Sequence, residues 1–194
     1  MKKFITTLSL SAFIAISFSA CSTQPKSNKK EEADFRCRID GQLQPEWVCG
    51  NDTGVEGAYT AVASAPMSKM GRNFTQVEAI AQGRNALART IQVQVKNKIE
   101  QFARSTGVGS SEVADKVSTQ VSKQVANVTL SGSKMMKSRL VGNTLYVLVG
   151  VPEKSVNQTA KEAVKSSYKN DKALWQQFQA QKAQDSLDKE FPDN

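Results

Sequence analysis

The chain has no histidine, so its three cysteines are the side chains with the most chemistry to offer. Their positions divide them. Cys21 stands directly after Phe18-Ser19-Ala20, at the end of a leader in which Lys2 and Lys3 form a basic n-region and Phe4 to Phe18 an apolar stretch. That layout is a secretory signal peptide, and small residues immediately before a cysteine make its end a lipobox. The chemistry expected there is acylation. The Cys21 sulfur takes a diacylglycerol, the leader (1–20) is cut away, and the freed amine is acylated in turn. One acyl chain holds only reversibly, at about 0.8 kcal/mol per buried CH₂, whereas three together hold essentially for good. Ser22 comes next. An Asp there commonly retains such a chain in the inner membrane of a Gram-negative envelope, so Ser22 points to the outer membrane. The alternative is an ordinary signal peptide cut near Ala20, with Cys21 a bystander.

Cys37 and Cys49 remain. An exported chain meets oxidising conditions in which they can pair, closing a loop that contains Gly41 and Pro45. Loop-closure entropy makes such a link worth on the order of 2–3 kcal/mol. A metal site would need further ligands at short spacing, and histidine is missing. A Cys37–Cys49 disulfide is therefore the reading adopted, with no metal and no cofactor.

The same inventory leaves little for catalysis. Ser-His-Asp and Cys-His arrangements are impossible. With Cys21 acylated and the other two paired, no thiol nucleophile remains. The acids show no spacing that singles out a general acid–base pair. Arg84 and Arg89 lie five residues apart on one helix and so on different faces, Arg89 at the surface and Arg84 bordering an apolar stripe. Gly107-Val108-Gly109-Ser110-Ser111 has neither the Gly-Lys-Ser/Thr ending nor the preceding strand of a phosphate loop, and reads as a turn. No catalytic residue is nominated and no enzyme is expected. The formal charge of +8 becomes +6 once Lys2 and Lys3 leave with the leader. An exported chain has little opportunity to meet nucleic acid, so acidic membrane surface or anionic wall polymers are the expected neighbours. A charge that merely keeps the domain soluble is the equal alternative.

The elements that would carry these residues are organised around one helix. Apolar residues at Phe74, Val77, Ile80, Leu87, Ile91, Val95, Ile99 and Phe102 recur every three or four positions, which places them on one stripe. Asn73 is the expected N-cap. Before it, Ala58 to Ala65 reads as a strand whose small residues suit a closely crossing helix, stopped by Pro66. After it, Ser111 is expected to cap a second helix with Val113, Val117, Val121 and Val125 on one face. Val128 to Leu140 and Thr144 to Val151 form a hairpin about Gly142-Asn143. Its second arm is apolar on both faces and reads as a central strand. Lys134, Lys137 and Arg139 guard the first arm as an edge. Pro152-Glu153 opens a final helix, interrupted at Asn170-Asp171.

The domain plan is a leader (1–20), an acylated tether (21–35) too polar to fold, an α+β domain (36–152) and a helical C-terminal extension (153–194). The fold class is α+β in the order β-α-α-β-β-α, a long helix packed across a small antiparallel sheet. Trp47, beside the disulfide, is expected at the domain edge as packing rather than as a ligand contact. Leu174, Trp175, Phe178 and Leu187 form a thin apolar stripe on the extension. They are the candidate contact with a second copy or a partner, the alternative being packing on the chain's own domain.

Pro45-Glu46-Trp47-Val48, the strand Tyr59-Thr60-Ala61-Val62-Ala63-Ser64-Ala65 and Ala79 to Ile91 with its Gly83-Arg84-Asn85-Ala86-Leu87-Ala88-Arg89 centre carry a likeness. Leu145-Tyr146-Val147-Leu148-Val149 and Leu174-Trp175-Gln176-Gln177-Phe178 extend it. With these residues the chain resembles the LPP-twenty family of small outer-membrane lipoproteins, which includes a flagellar lipoprotein. The resemblance implies a β-α-β-β module and a role in motility, surface antigens or outer-membrane structure. Two functions follow as expectations. One is a structural lipoprotein, anchored in the outer membrane through Cys21, facing the periplasm and assembling as a homo-oligomer or with an envelope protein near flagellar or envelope structure. The other is a tethered periplasmic binding module that engages peptidoglycan or regulates an envelope enzyme.

Overall fold

The computed structural model describes residues 35–50 and 52–193. The leader, Cys21 and the tether up to residue 34 lie outside the described residues. From Phe35 onward the chain forms one compact unit. Its elements are β1 (Arg38–Ile39), β2 (Gln42–Leu43), a 3₁₀ turn at Glu46–Cys49, β3 (Ala58–Pro66), α1 (Arg72–Thr106), α2 (Ser111–Leu130), β4 (Lys134–Val141), β5 (Thr144–Pro152), α3 (Glu153–Lys169), α4 (Lys172–Phe178) and α5 (Gln181–Glu190). This is the expected α+β architecture.

The main sheet is antiparallel with strand order β3-β5-β4. β5 is central, as its two apolar faces require. Leu145, Val147, Val149 and Val151 point into the principal core, while Leu148 and Tyr146 point to the opposite face. β4 is one edge and carries the three cations, with a register shift between Met135 and Lys137. β3 is the other edge. The hairpin turns at Gly142-Asn143 as anticipated.

α1 runs for 35 residues, longer than the apolar stripe suggested, and its first turns are oriented differently from the expectation. Phe74 and Val77 are exposed, at 46% and 69%. Thr75, Ala79 and Gly83 are buried in their place, followed by Leu87, Ile91, Val95, Ile99 and Phe102. The reason is the distance to the sheet. A Cβ added at Gly83 would lie 2.6 Å from Val149 Cγ2 and 3.6 Å from Ala63 Cβ. Only small side chains fit where the helix crosses so closely, so the large residues turn outward. The N-cap is Gly71, at φ 97°, not Asn73. Thr75 fixes the turn by accepting from the Ser68 amide at 2.9 Å.

Two further boundaries shift. Ser110, not Ser111, caps α2, its hydroxyl accepting from the Val113 amide at 3.4 Å. Val128 to Leu130 belong to the end of α2 rather than to a strand, and the chain turns through Ser131–Ser133 before β4 begins. Helical pairing with α1 decides this. Val121, Val125 and Ala126 join the principal core, and continuing the helix satisfies the backbone up to Leu130.

Candidate functional site

Three places on this frame carry the side chains that a function could use. The first is the sheet face opposite α1. Cys37 and Cys49 are joined in a disulfide with their Cα atoms 5.7 Å apart. The segment that the link closes is tied down further. The Gln44 amide donates to the Cys37 carbonyl at 2.8 Å, and the Cys37 amide donates to Glu46 Oε1 at 3.0 Å. Trp47 and Val48 are thereby pressed against Leu148, with Ile39, Val55, Val62 and Tyr146 around them. Trp47 is thus packing, as expected. The cations of β4 reach back across this face. Lys137 Nζ donates to the Thr53 carbonyl at 2.7 Å and Arg139 Nε to Gln44 Oε1 at 2.8 Å. Two side chains expected to guard an edge therefore also fasten the stapled segment.

The second place is the C-terminal helical layer. Of the four residues nominated as a contact surface, Phe178 and Leu187 are fully buried in the chain's own core, and Leu174 and Trp175 are half-buried against it. A partner contact through Phe178 and Leu187 is therefore corrected. They close the end of the principal core, because α3, α4 and α5 fold back onto α1 and α2. Phe178 stacks on Tyr168 with ring centroids 5.6 Å apart and on Trp175 at 5.4 Å. Lys169 lies 5.2 Å over the Trp175 ring and Lys98 lies 5.4 Å over Phe191, cation–π contacts that cover the outer aromatic surface. Burial pushes the Tyr168 hydroxyl up from its ordinary range. Asp171 caps α4, accepting from the Ala173 and Leu174 amides at 2.9 and 3.1 Å.

No spacing or pattern along the chain announces the clasp beneath this layer. Lys161 Nζ, on a side chain only 10% exposed, bridges Asp188 at 3.0 Å and Asp193 at 2.9 Å. Burial disfavours its charge, but the bonds to Asp193 and Asp188 outweigh that and hold the ammonium above the ordinary lysine value. The bond from Lys161 in turn draws the Asp193 carboxyl down. Arg84 is likewise structural. Its Nε donates to Ser133 Oγ at 3.0 Å and its Nη2 to the Ser133 carbonyl at 3.4 Å, tying α1 to the turn before β4.

The third place is the outer edge of β3. Val62, Ala63 and Ser64 line a shallow cleft with Gln82, Asn85, Ala86 and Arg89 of α1. Among the described residues no strand pairs with this edge.

Residues 45–152 match the family described as LPP20 lipoprotein. The chain belongs to the LPP20 lipoprotein family. The match runs from Pro45, at the head of the 3₁₀ turn, to the end of β5, so it takes in Trp47, Val48 and Cys49 of the stapled face, α1, α2 and the main sheet, while Cys37, β1 and β2 precede it. In this LPP20 lipoprotein the clasp between Lys161 and the two aspartates lies beyond the matched stretch. No curated protein matches the chain. Among the described residues no group of three or more Cys, Asp and Glu is placed to hold a metal ion, and no helix is long and apolar enough to cross a membrane.

Proposed function

We propose that this LPP20 lipoprotein is a structural component of the cell envelope. It is anchored in the outer membrane by acylated Cys21, faces the periplasm and assembles with further copies or an envelope protein, in the setting of flagellar or other envelope structure. The observation that carries the reading is membership of a lipoprotein family by a chain whose leader ends Phe18-Ser19-Ala20-Cys21. The use made of the polar side chains supports it. Cys37 and Cys49 are consumed by each other, Arg84 holds a turn and Lys161 holds the chain end. On this reading the protein is not an enzyme, and what it offers is shape and surface.

Metabolic labelling with a palmitate analogue tests the anchor. Wild type should take up label and fractionate with the outer membrane, and Cys21→Ser should do neither. Unlabelled wild-type protein free in the periplasm would end the proposal. Normal swimming and unaltered basal structures in a deletion strain would remove its flagellar form and leave the anchor standing.

A further inference from the structure

The two edges of the sheet are built to opposite specifications. β4, Lys134–Val141, carries Lys134, Lys137 and Arg139 and a register shift between Met135 and Lys137. Like charge and an irregular ladder discourage further pairing. β3 runs for nine residues, Ala58–Pro66, without a charged side chain, and its pairing with β5 is regular from end to end. Tyr59, Ala61, Ala63 and Ala65 face α1 and the principal core. Thr60, Val62 and Ser64 alternate to the other side, half-buried. An edge strand presents every second backbone N–H and C=O outward. Proline, bulge and charge, the usual protections, are absent between Ala58 and Ala65.

We propose that this edge is a self-association surface, where β3 of one copy pairs antiparallel with β3 of a second copy to make one six-stranded sheet. The inference rests on the assembling-lipoprotein reading above and names the surface it would use. A two-fold axis makes one uncharged strand both halves of the interface, so the three cations of β4 stay apart and the flanking Arg89 is the one charge that each copy brings to the cleft. The position of α1 supplies the second argument. Gly83 sits over the seam between Ala63 of β3 and Val149 of β5, about half a strand spacing inward from β3. The axis lies half a spacing outward. With strands about 4.8 Å apart, the two α1 helices come to lie about 10 Å from one another on the same side of the sheet. That is the ordinary distance between packed helices. The flank that would meet its copy is the cleft lining, Gln82, Asn85, Ala86 and Arg89, with small Ala86 permitting approach and amides able to bond across. The polar stretch Ser22 to Asp34 of the same chain is a poorer occupant. It contains Pro25 and a run of charges, and beyond that proline has no apolar side chain larger than alanine to cover Val62.

Because α1 stays on one side in both copies, opposed residues have the same parity and one residue of β3 lies on the axis, facing itself. Single cysteines placed in turn at Thr60, Ala61, Val62, Ala63 and Ser64 of the full chain, in its own envelope, should therefore give a dimer on treatment with a short thiol cross-linker. The yield should peak at one position and fall away on both sides, and a cysteine at Lys134 should give none. Thr60→Lys with Ser64→Lys, on the side facing away from α1, should abolish the cross-link at the peak position while leaving the unfolding midpoint within experimental error. Light scattering on a form beginning at Ser22, which retains the whole described unit, separates the two readings. An oligomer without β3 cross-links overturns the edge and leaves assembly standing. A monomer without cross-links overturns both. Cross-links to a different protein, or back to residues 22–34 of the same chain, overturn the second copy as the occupant.

Discussion

One face of the β3-β5-β4 sheet is closed by a 35-residue helix, the other by the short stretch from Cys37 to Val55. The helix face needs no link. α1 lays Leu87, Ile91, Val95, Ile99 and Phe102 into a continuous core with α2, α3 and the inner side of β5, and burial of each large apolar side chain is worth roughly 1.5–3 kcal/mol. The opposite face has two small strands of two residues each and one 3₁₀ turn to cover Leu148. Such a segment buries too little to offset the entropy of ordering it. Its order comes from reducing the freedom of the unfolded chain through Cys37–Cys49, and from Lys137 and Arg139 reaching over from β4. A long amphipathic element covers a sheet by area, and a short one covers it only if it is fastened.

The largest effect expected is on the helix face. Leu87→Ala, at a fully buried position, should cost about 2–5 kcal/mol and lower the urea midpoint of the whole unit, with circular dichroism and fluorescence changing together. The stapled face should respond differently. Cys37→Ser with Cys49→Ser should cost about 2–3 kcal/mol, and the loss should be local. Trp47 and Trp175 are the only tryptophans, so in a Trp175→Phe background emission reports the stapled face alone. It should shift to the red at urea concentrations where the helical signal is intact. A single coincident transition in the double serine variant would mean that the two faces are one cooperative unit, and the contrast between them would fail.

Much of this was legible in the chain. Alternation in Leu145 to Val151 identified the central strand and both its faces, and the cations of Lys134 to Arg139 identified an edge. The disulfide was readable because no histidine competed for the thiols. Periodicity among large apolar residues misplaces the first turns of α1, where Phe74 and Val77 are exposed. Thr75, Ala79 and Gly83 repeat every four positions, and that run of small residues was the signal of close approach. The tail stripe was visible but not what covers it, since a thin apolar stripe reads the same whether it meets its own core or another molecule. Lys161 was invisible because its partners, Asp188 and Asp193, are brought to it only when α5 folds back along α1.

The close crossing gives a prediction whose sign is informative. In an isolated helix Gly83→Ala would gain about 1 kcal/mol from propensity. Here the new methyl meets Val149 Cγ2 at 2.6 Å, and overpacking of a core costs typically 1–3 kcal/mol. Net destabilisation by about 1 kcal/mol is expected, with most of it recovered in the Gly83→Ala, Val149→Ala double variant relative to Val149→Ala alone. A stabilised single variant would show that α1 can lift off the sheet without loss, which would undo the account of why Phe74 and Val77 face outward.

The two ends of the described unit sharpen the same contrast, for the segment from Cys37 is fastened covalently and the one that closes at Asp193 ionically. Lys161 reaches Asp188 and Asp193 from α3, while Asn157 Nδ2 donates to the Pro192 carbonyl at 3.0 Å. Both aspartates are 63% exposed, so solvent screens the pairs and Lys161→Met, which keeps the apolar stem, should cost only about 1 kcal/mol. The pH dependence distinguishes an ionic clasp from simple packing. Asp193 has its carboxyl lowered in the folded state, so its contribution is complete above the ordinary value of 3.8 and is lost as pH falls through the lowered one. Lys161 has its ammonium raised, so its contribution is complete below 10.5 and is lost as pH rises through the raised value. The difference in midpoint between wild type and Lys161→Met should therefore be constant through the neutral range and shrink at both extremes. A difference that stays the same under acid and alkali would assign Lys161 a packing role, and the segment that closes at Asp193 would then be held by means other than charge.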